Sequence, residues 1–261
     1  IVRMHKHFNY LQRLIATALS FAIFGLGGVL LRLAIFPFVD LLVHDQHRKR
    51  SYSRRIVSAT FLWFVNIMRA LGVLTYEISG AHKLGQPGQL IIANHPSLID
   101  VVFLVAFTRD ANCVVKSSLK RNTFMRGPIS ATQYVDNNTT AEMIENSCKV
   151  LADGETLIIF PEGTRTIPWQ PLHFHRSAAN IAIKSARVLT PVILRVEPTT
   201  LTKAEPWYRI PHRRFHFSMQ VLDDIALEPF RAGAELPRAS RTLNTHLLSF
   251  FNQELGHYGR A

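Results

Sequence analysis

Blocks of apolar residues separated by polar turns run through most of the chain and predict its secondary structure. Six blocks have the length of a strand and lie at 74–78, 90–93, 113–116, 157–160, 190–194 and 215–221. Five further blocks are predicted to be helical and lie at 55–74, 101–107, 139–153, 178–187 and 239–255. Strands and helices alternate from 90 to 194, and at either end of this stretch a second strand block lies next to it along the chain. We therefore expect an α/β fold with a mixed central sheet flanked by helices, covering 76–261.

The first 75 residues differ from the rest and predict a membrane-binding helical segment. Residues 15–31 carry no charge, and after Arg32 the apolar character continues to Val43. One interpretation is a bent helix or a hairpin of two helices that enters one leaflet, with Arg32 near the turn, because several glycines and Pro37 weaken a straight helix. The other interpretation is an ordinary helix that spans the bilayer, for which the segment is long enough.

The charge of the chain favours an anionic lipid surface. Lys and Arg number 30 against 18 Asp and Glu, which gives a formal net charge of +12, while 48% of the residues are hydrophobic. A basic run at 44–50, followed by Arg54 and Arg55, adjoins the apolar segment and predicts a position against lipid on the cytoplasmic side. A solvated loop or a nucleic-acid patch is the alternative. No aromatic residues interleave the run as they do in single-strand binding proteins, so we expect no nucleic-acid partner.

The first candidate site follows the strand at 90–93. That strand stops at Asn94-His95-Pro96, which predicts a sharp turn with Pro96 at the first position of a helix. If His95 lies in the turn and Asp100 in the first helical turns, their side chains converge. A carboxylate on one imidazole nitrogen leaves the other nitrogen free as a general base for a substrate hydroxyl. The alternative is a His and an Asp that fall five positions apart by chance.

A second polar turn follows the strand at 157–160 and reads Pro161-Glu162-Gly163-Thr164-Arg165. Glu162 can accept a hydrogen bond from a substrate hydroxyl, and Arg165 offers a planar cation to a phosphate. Gly163 permits a backbone conformation that other residues resist. A structural Glu–Arg pair that closes the turn is the alternative. We favour substrate binding, because charged groups that converge at strand ends beside a candidate base are typical of a site.

The two motifs together resemble those of a known family. Asn-His followed by Asp at 94–100, and Phe-Pro-Glu-Gly-Thr-Arg at 160–165, resemble the glycerolipid acyltransferases of the lysophosphatidate acyltransferase type, over about 76–222. The resemblance implies transfer of a fatty acyl group from acyl-CoA or acyl carrier protein to a hydroxyl of a membrane lipid precursor. It implies no cofactor beyond the acyl donor, and a catalytic domain on the cytoplasmic face.

The same resemblance assigns roles to individual residues. His95 and Asp100 are the expected catalytic pair. The expected substrate-binding residues are Glu162, Gly163, Thr164, Arg165, Lys116 and Arg126. Lys116 stands where the family usually has a lysine after this strand, and the resemblance places the segment of Arg126 beside the route of the acceptor into the site.

The middle motif of the family, roughly Gly-x-x-Phe-x-x-Arg, is poorly kept at 131–137. Ala131 replaces its glycine and Asn137 its arginine, which the family associates with the phosphate of the acceptor. Unlike arginine, asparagine carries no charge and cannot donate two parallel hydrogen bonds to a phosphate. Three interpretations stay open: a phosphate held by other cations of the site, an acceptor that is a phosphate-free or specialised lipid, and a membrane scaffold that has lost its chemistry.

Metal binding and disulfides are not predicted. Cys113 and Cys148 have neither the spacing of a zinc site nor enough partners for a disulfide framework. His173 and His175 lie two apart near the second motif, but no third cluster of ligands accompanies them. We interpret these histidines as polar rim or substrate-contacting residues.

Overall fold

The computed structural model describes residues 2–203, 205–233 and 235–256, with side chains from residue 9 onward. Its α-helices are α1 (Val2–Leu30), α2 (Phe36–Leu42), α3 (Gln46–Ala70), α4 (Asp100–Phe107), α5 (Arg126–Thr132), α6 (Thr140–Ala152), α7 (Arg176–Ser185), α8 (Glu228–Arg231) and α9 (Leu236–Gly256). Its strands are β1 (Leu74–Ser79), β2 (Gln89–Ala93), β3 (Asn112–Val115), β4 (Val135–Asp136), β5 (Leu157–Ile159), β6 (Val188–Glu197) and β7 (Phe215–Val221). A π-helical turn, Leu31–Ile35, joins α1 to α2.

The strands form one sheet of seven strands in the order β1-β7-β6-β2-β5-β3-β4. The five strands from β6 to β4 in this order run parallel, β7 is antiparallel to β6, and β1 is parallel to β7. The predicted mixed sheet is therefore confirmed. Because parallel strands end at the same edge, the segments after β2, β3, β4, β5 and β6 all emerge there. This edge is termed the carboxyl edge.

Helices cover both faces of the sheet, which explains the unbroken apolar runs of its central strands. In β2, Ile91 and Ala93 join the core beneath α3 and α4, while Leu90 and Ile92 join the core beneath α6, α7 and α9. All four side chains are fully buried. The three layers hold the strand ends in fixed positions, and the site is built on those ends.

The apolar N-terminal segment is one interrupted helix. α1 and α2 continue each other through the π-helical turn that contains Arg32, so of the bent helix and the hairpin that the sequence left open, the structure does not have the hairpin at Arg32. The chain turns instead between α2 and α3, where Asp45 caps α3 by accepting a hydrogen bond from the backbone N–H of Arg48 at 2.8 Å. Residues Asn9–Leu42 are apolar and long enough to cross a membrane, judged by length and composition.

α1 lies along the folded domain. Arg13 donates hydrogen bonds to the carbonyl oxygens of Pro211 and His212, at 2.8 and 2.6 Å. Eight residues further along α1, the ring of Phe21 contacts that of Trp207, with 5.5 Å between centroids. Contacts at both points tie the helix to the segment between β6 and β7, at the carboxyl edge.

One of the two arginines that follow the basic run faces the protein and not lipid, which corrects the prediction for Arg54. Arg54 is 3% exposed and donates to Glu155 at 2.7 Å and to the carbonyl of Thr132 at 3.0 Å. Arg55 lies 3.5 Å from Asp110. The helical period turns Arg54 toward the body of the protein, because the apolar residues of α3 face the same way.

α3 starts nine positions earlier than predicted and packs into the same core as the sheet. Val57, Val65 and Met68 of this helix are buried in the cluster that contains Ile91 of β2. The boundary near residue 75 between a membrane segment and the main domain remains a prediction.

Candidate active site

The first polar turn is anchored beside β6 before it delivers His95. The side chain of Asn94 accepts a hydrogen bond from the N–H of Leu194 and donates one to its carbonyl oxygen, both at 2.8 Å. This pair of bonds continues the pairing of β2 with β6 by one residue. His95 then leaves the sheet at the carboxyl edge, with its side chain 15% exposed.

His95 and Asp100 are in direct contact, as the sequence predicted. Nδ1 of His95 lies 2.8 Å from Oδ2 of Asp100, and the backbone N–H of Ser97 donates to the same oxygen at 2.7 Å. Pro96 does not begin the helix: α4 begins at Asp100, after a turn in which the Asp100 N–H donates to the Ser97 carbonyl. Because the helix begins only at Asp100, the carboxylate points back toward the imidazole. A helix that began at Pro96 would turn the carboxylate away from it.

Asp100 is completely buried, and burial raises the pKa of its carboxyl group. The hydrogen bond with His95 and the N–H of Ser97 oppose this rise because both favour the charged form. An imidazole that shares its Nδ1 with this carboxylate presents Nε2 as the nitrogen available for proton transfer.

Glu162 joins the second polar turn to the first. Its Oε1 accepts from the backbone N–H of His95 and from the hydroxyl of Thr166, both at 2.9 Å. The N–H of Thr166 in turn donates to the carbonyl of His95 at 2.6 Å. Glu162 is 8% exposed, and burial raises the pKa of its carboxyl group. These bonds hold the two motifs together.

Gly163 and Phe160 shape the space beside the imidazole. Gly163 has a φ of +66°, and a Cβ at this position meets the ring of His175 at 3.1 Å. A side chain is therefore disfavoured here by both backbone conformation and space. The ring of Phe160 stacks on that of His95, with 4.3 Å between centroids. Stacking restricts the rotation of the imidazole ring.

Arg165 does not pair with Glu162 to close the turn. One of its terminal nitrogens donates to the carbonyl oxygens of Leu201 and Thr202, both at 2.9 Å. The guanidinium thus fixes the segment after β6 to the turn after β5. Within the part of the chain that the structure describes, its other nitrogens have no protein acceptor, and the charge is close enough to act on Asp100.

The remaining predicted residues lie at the carboxyl edge, outside this network of bonds. Lys116 is exposed directly after β3, and Arg126 is exposed at the start of α5. Asn137, which stands where the family has an arginine, accepts a hydrogen bond from the N–H of Ser117 at 3.2 Å. Lys120 pairs with Asp136. The structure thus groups His95, Asp100 and the second motif, and it records no contact between them and the two exposed cations.

Sequence reasoning missed Thr166 and Asn94 as organising residues. Thr166 directly follows the second motif, and a hydroxyl there is the only signal in the sequence. Among the described residues no group of three His, Cys, Asp or Glu side chains is placed to hold a metal ion. His173 and His175 contact each other edge to face, with 5.2 Å between centroids.

Comparisons with known proteins bear on the domain that carries the two polar turns. The sequence model of the family described as Acyltransferase matches residues 75–195. The 1-acyl-sn-glycerol-3-phosphate acyltransferase of Saccharomyces cerevisiae is 27% identical over 216 residues, which cover 79% of this chain and 66% of that protein. The enzyme of the same name from Pseudomonas aeruginosa is 23% identical over 201 residues, covering 75% of this chain and 74% of its own length.

A solved structure shares the fold. The crystal structure of the 1-acyl-sn-glycerophosphate (LPA) acyltransferase PlsC from Thermotoga maritima superposes with a TM-score of 0.65 at 18% identity, over 95% of this chain and 98% of that one. The chain spans just under two thirds of the yeast relative and 37% of a relative from Chlamydomonas reinhardtii. Residues 75–195, which hold both polar turns, form a domain of the Acyltransferase family, of the type found in 1-acyl-sn-glycerol-3-phosphate acyltransferases.

Proposed function

We propose that this chain transfers a fatty acyl group from acyl-CoA or an acyl carrier protein to a hydroxyl of a lysophosphatidate-like lipid. The observation that carries the proposal is the 2.8 Å contact between Nδ1 of His95 and the buried carboxylate of Asp100, within a domain of the Acyltransferase family. The chemistry proposed uses no cofactor beyond the acyl donor.

His95 acts as the general base in this proposal. Its Nε2 takes the proton of the acceptor hydroxyl while the oxygen attacks the carbonyl carbon of the thioester. The tetrahedral intermediate collapses, the carbon–sulfur bond breaks, and the leaving thiolate receives the proton from His95. Asp100 keeps the other imidazole nitrogen protonated and stabilises the cation that forms between the two steps.

Backbone N–H groups are the natural donors to the negative oxygen of the intermediate. The N–H of Gly163 is bonded to the Phe160 carbonyl, and that of Ser97 to Asp100. In the described part of the chain, the N–H groups of Thr164 and Arg165 have no protein acceptor. We assign them as the candidate oxyanion donors.

Arg165 and Glu162 bind the acceptor in this proposal. The guanidinium nitrogens that do not hold the segment after β6 face a phosphate, which compensates for Asn137 in the middle motif. Oε1 of Glu162 is occupied by His95 and Thr166, so its Oε2 is the oxygen that receives an acceptor hydroxyl. The exposed Lys116 and Arg126 add positive charge along the route of the acceptor.

The domain is proposed to work at the cytoplasmic face of a membrane. α1 contacts the domain from Arg13 to Gly28, and the π-helical turn after it contacts the domain at Arg32, so this part of the segment lies against protein on one side. A helix packed along the domain in this way lies in the plane of the membrane–water interface more readily than it crosses the bilayer. The reason is that the polar surface of the attached domain cannot enter the lipid. The acyl donors named above are cytosolic thioesters.

Product analysis tests the proposed function. The full chain, reconstituted into vesicles, is incubated with radiolabelled acyl-CoA or acyl carrier protein and with two matched acceptors, lysophosphatidate and monoacylglycerol. Transfer to lysophosphatidate supports the proposal. Transfer to monoacylglycerol alone assigns a phosphate-free acceptor, in line with Asn137. No transfer to either acceptor, by protein whose circular dichroism shows it folded, favours the membrane scaffold.

A further inference from the structure

A short segment of the loop after β6 binds the first polar turn. Thr200, Leu201 and Thr202 are buried, and these three residues are termed the carbonyl strap. The hydroxyl of Ser97 donates a hydrogen bond to the carbonyl oxygen of Thr200 at 3.0 Å, and the backbone N–H of Leu98 donates to that of Leu201 at 3.1 Å. The strap is therefore held against the turn between β2 and α4.

The second polar turn binds the same strap through one side chain. Nη1 of Arg165 donates to the carbonyl oxygens of Leu201 and Thr202, both at 2.9 Å. The carbonyl oxygen of Leu201 thus accepts one bond from each polar turn, which its two lone pairs allow. Because the guanidinium is planar, two acceptors on one of its nitrogens also fix the plane in which the other nitrogens lie.

The backbone conformation of Leu201 makes this arrangement possible. Successive carbonyl groups of an extended backbone point to opposite sides, as they do in a strand. In the strap, the carbonyl groups of Thr200 and Leu201 are both directed at the polar turns, and the φ of Leu201 is +55°. A residue in the left-handed region turns successive carbonyl groups to the same side, as in a helical turn.

Leucine rarely adopts this conformation, because its Cβ approaches the following carbonyl oxygen too closely. Strain of this kind persists only where the surrounding contacts hold the residue in place, and it is typical of functional sites. The bonds from Leu98 and Arg165 are contacts of that kind. The alternative is a purely structural role, in which the strap closes the loop after β6 and has no effect on the substrate.

We infer that Leu201 is a positioning residue that sets the selectivity for an acceptor with a phosphate. Its left-handed backbone places the carbonyl groups that orient Arg165, whose other nitrogens face the phosphate in the proposed function. The inference rests on that function, since it needs Arg165 to bind the acceptor. Because the phosphate takes no part in making or breaking bonds, the contribution of Leu201 is expected in binding and not in the chemical step.

Two replacements of Leu201 separate the effect of its backbone from that of its side chain. Leu201→Ile keeps the number of side-chain atoms but branches at Cβ, and β-branched residues resist the left-handed region. Leu201→Met is the matched control, because it keeps a similar volume without the branch. The wild type and both variants are reconstituted into vesicles of one composition. Their kcat, their KM for lysophosphatidate and their KM for the acyl donor are then measured.

Leu201→Ile is expected to raise KM for lysophosphatidate roughly ten- to hundredfold, the value of a hydrogen bond to a charged group, with a much smaller change in kcat. Its KM for the acyl donor is expected to equal that of the wild type, and Leu201→Met is expected to match the wild type in all three constants. This pattern supports the inference, because damage to the fold as a whole does not single out one substrate.

Several results overturn the inference. They are an isoleucine variant that equals the methionine variant, an equal rise of both KM values, and a loss confined to kcat. A rise in KM for the acyl donor alone assigns Arg165 to a phosphate of the donor and overturns it too. A wild type that transfers nothing to lysophosphatidate refutes the proposed function, and the inference falls with it. The failure of the inference alone requires an active wild type, so the two failures are distinguishable.

A third variant covers the case in which Leu201→Ile folds poorly. Asparagine adopts the left-handed region more readily than most residues, but it cannot replace the apolar packing of leucine. Leu201→Asn is therefore expected to melt at a lower temperature than the wild type and to keep the wild-type KM for lysophosphatidate. A raised KM for lysophosphatidate in a folded Leu201→Asn chain makes the side chain responsible and contradicts the inference.

Discussion

Thr166 fixes the catalytic pair although it is expected to touch no substrate. Its N–H and hydroxyl bond to His95 and Glu162, which lie in the turns after two different strands of the sheet. Removing the hydroxyl releases Glu162 and, through it, the N–H of His95. Thr166 is therefore a positioning residue, and its effect on the chemical step is expected to exceed its effect on binding.

Thr166→Val is expected to lower kcat roughly ten- to hundredfold with a smaller effect on KM, because a hydrogen bond to a charged group contributes about 1.5–3 kcal/mol. Valine keeps the shape of threonine and removes the donor. Thr166→Ser restores the hydroxyl and is expected to recover most of the rate. Steady-state kinetics of the three chains checks this, and a serine variant as slow as the valine variant contradicts it.

Glu162→Gln is expected to change how stability depends on pH. Burial raises the pKa of Glu162 above its value in the unfolded chain, so the native state binds this proton more tightly. Between the ordinary pKa of a glutamate and the raised native pKa, the free energy of unfolding of the wild type therefore falls as pH rises. Glutamine keeps an oxygen for His95 and Thr166 without this cost.

The melting temperature of Glu162→Gln relative to wild type is thus expected to increase as pH rises through that window. Thermal unfolding followed by circular dichroism at a series of pH values measures the difference. A wild type that gains stability over the glutamine variant with rising pH contradicts the assignment of a raised pKa to Glu162.

At the scale of elements, α3 is tied to the body of the protein through a buried ion pair. Arg54 and Glu155 are 3% and 11% exposed in their side chains, with 2.7 Å between them. Arg54→Ala is expected to destabilise the fold by about 3–5 kcal/mol, because it leaves a buried carboxylate without its main partner. Arg55→Ala, at an exposed pair with Asp110, is expected to cost about 1 kcal/mol or less. Denaturant unfolding of both variants measures the contrast, and equal losses refute it.

The elements were predictable where one physical pattern dominated. The blocks at 90–93, 139–153 and 157–160 predict β2, α6 and β5 to within a few residues. The bent helix or hairpin predicted around Arg32 is a helix interrupted by a π-helical turn, and the glycines there serve close packing: Gly28 lets the backbone of Phe124 approach α1. Close approach of a distant segment leaves no periodic signal.

At the scale of the whole molecule, the sequence predicted the contact between His95 and Asp100 because both residues follow a strand whose end fixes them. It did not predict that Arg165 holds the segment at 201–202, since this bond joins turns after different strands. The position of the exposed aromatic residues at one edge of the sheet could likewise not be predicted from the sequence, because it depends on the order of the strands. Contacts within one turn could be predicted from the sequence, whereas contacts that depend on the order of the strands in the sheet could not.

The turnover of His95→Ala tests the central claim most directly. A positioned general base contributes about a hundred- to ten-thousand-fold, so acyl transfer is expected to fall by at least a factor of about a hundred, with vesicle binding unchanged. His82→Ala is the matched control, an exposed histidine before β2 at the opposite edge, and it is expected to keep the wild-type rate. A His95→Ala chain that retains more than about a tenth of wild-type turnover contradicts the account.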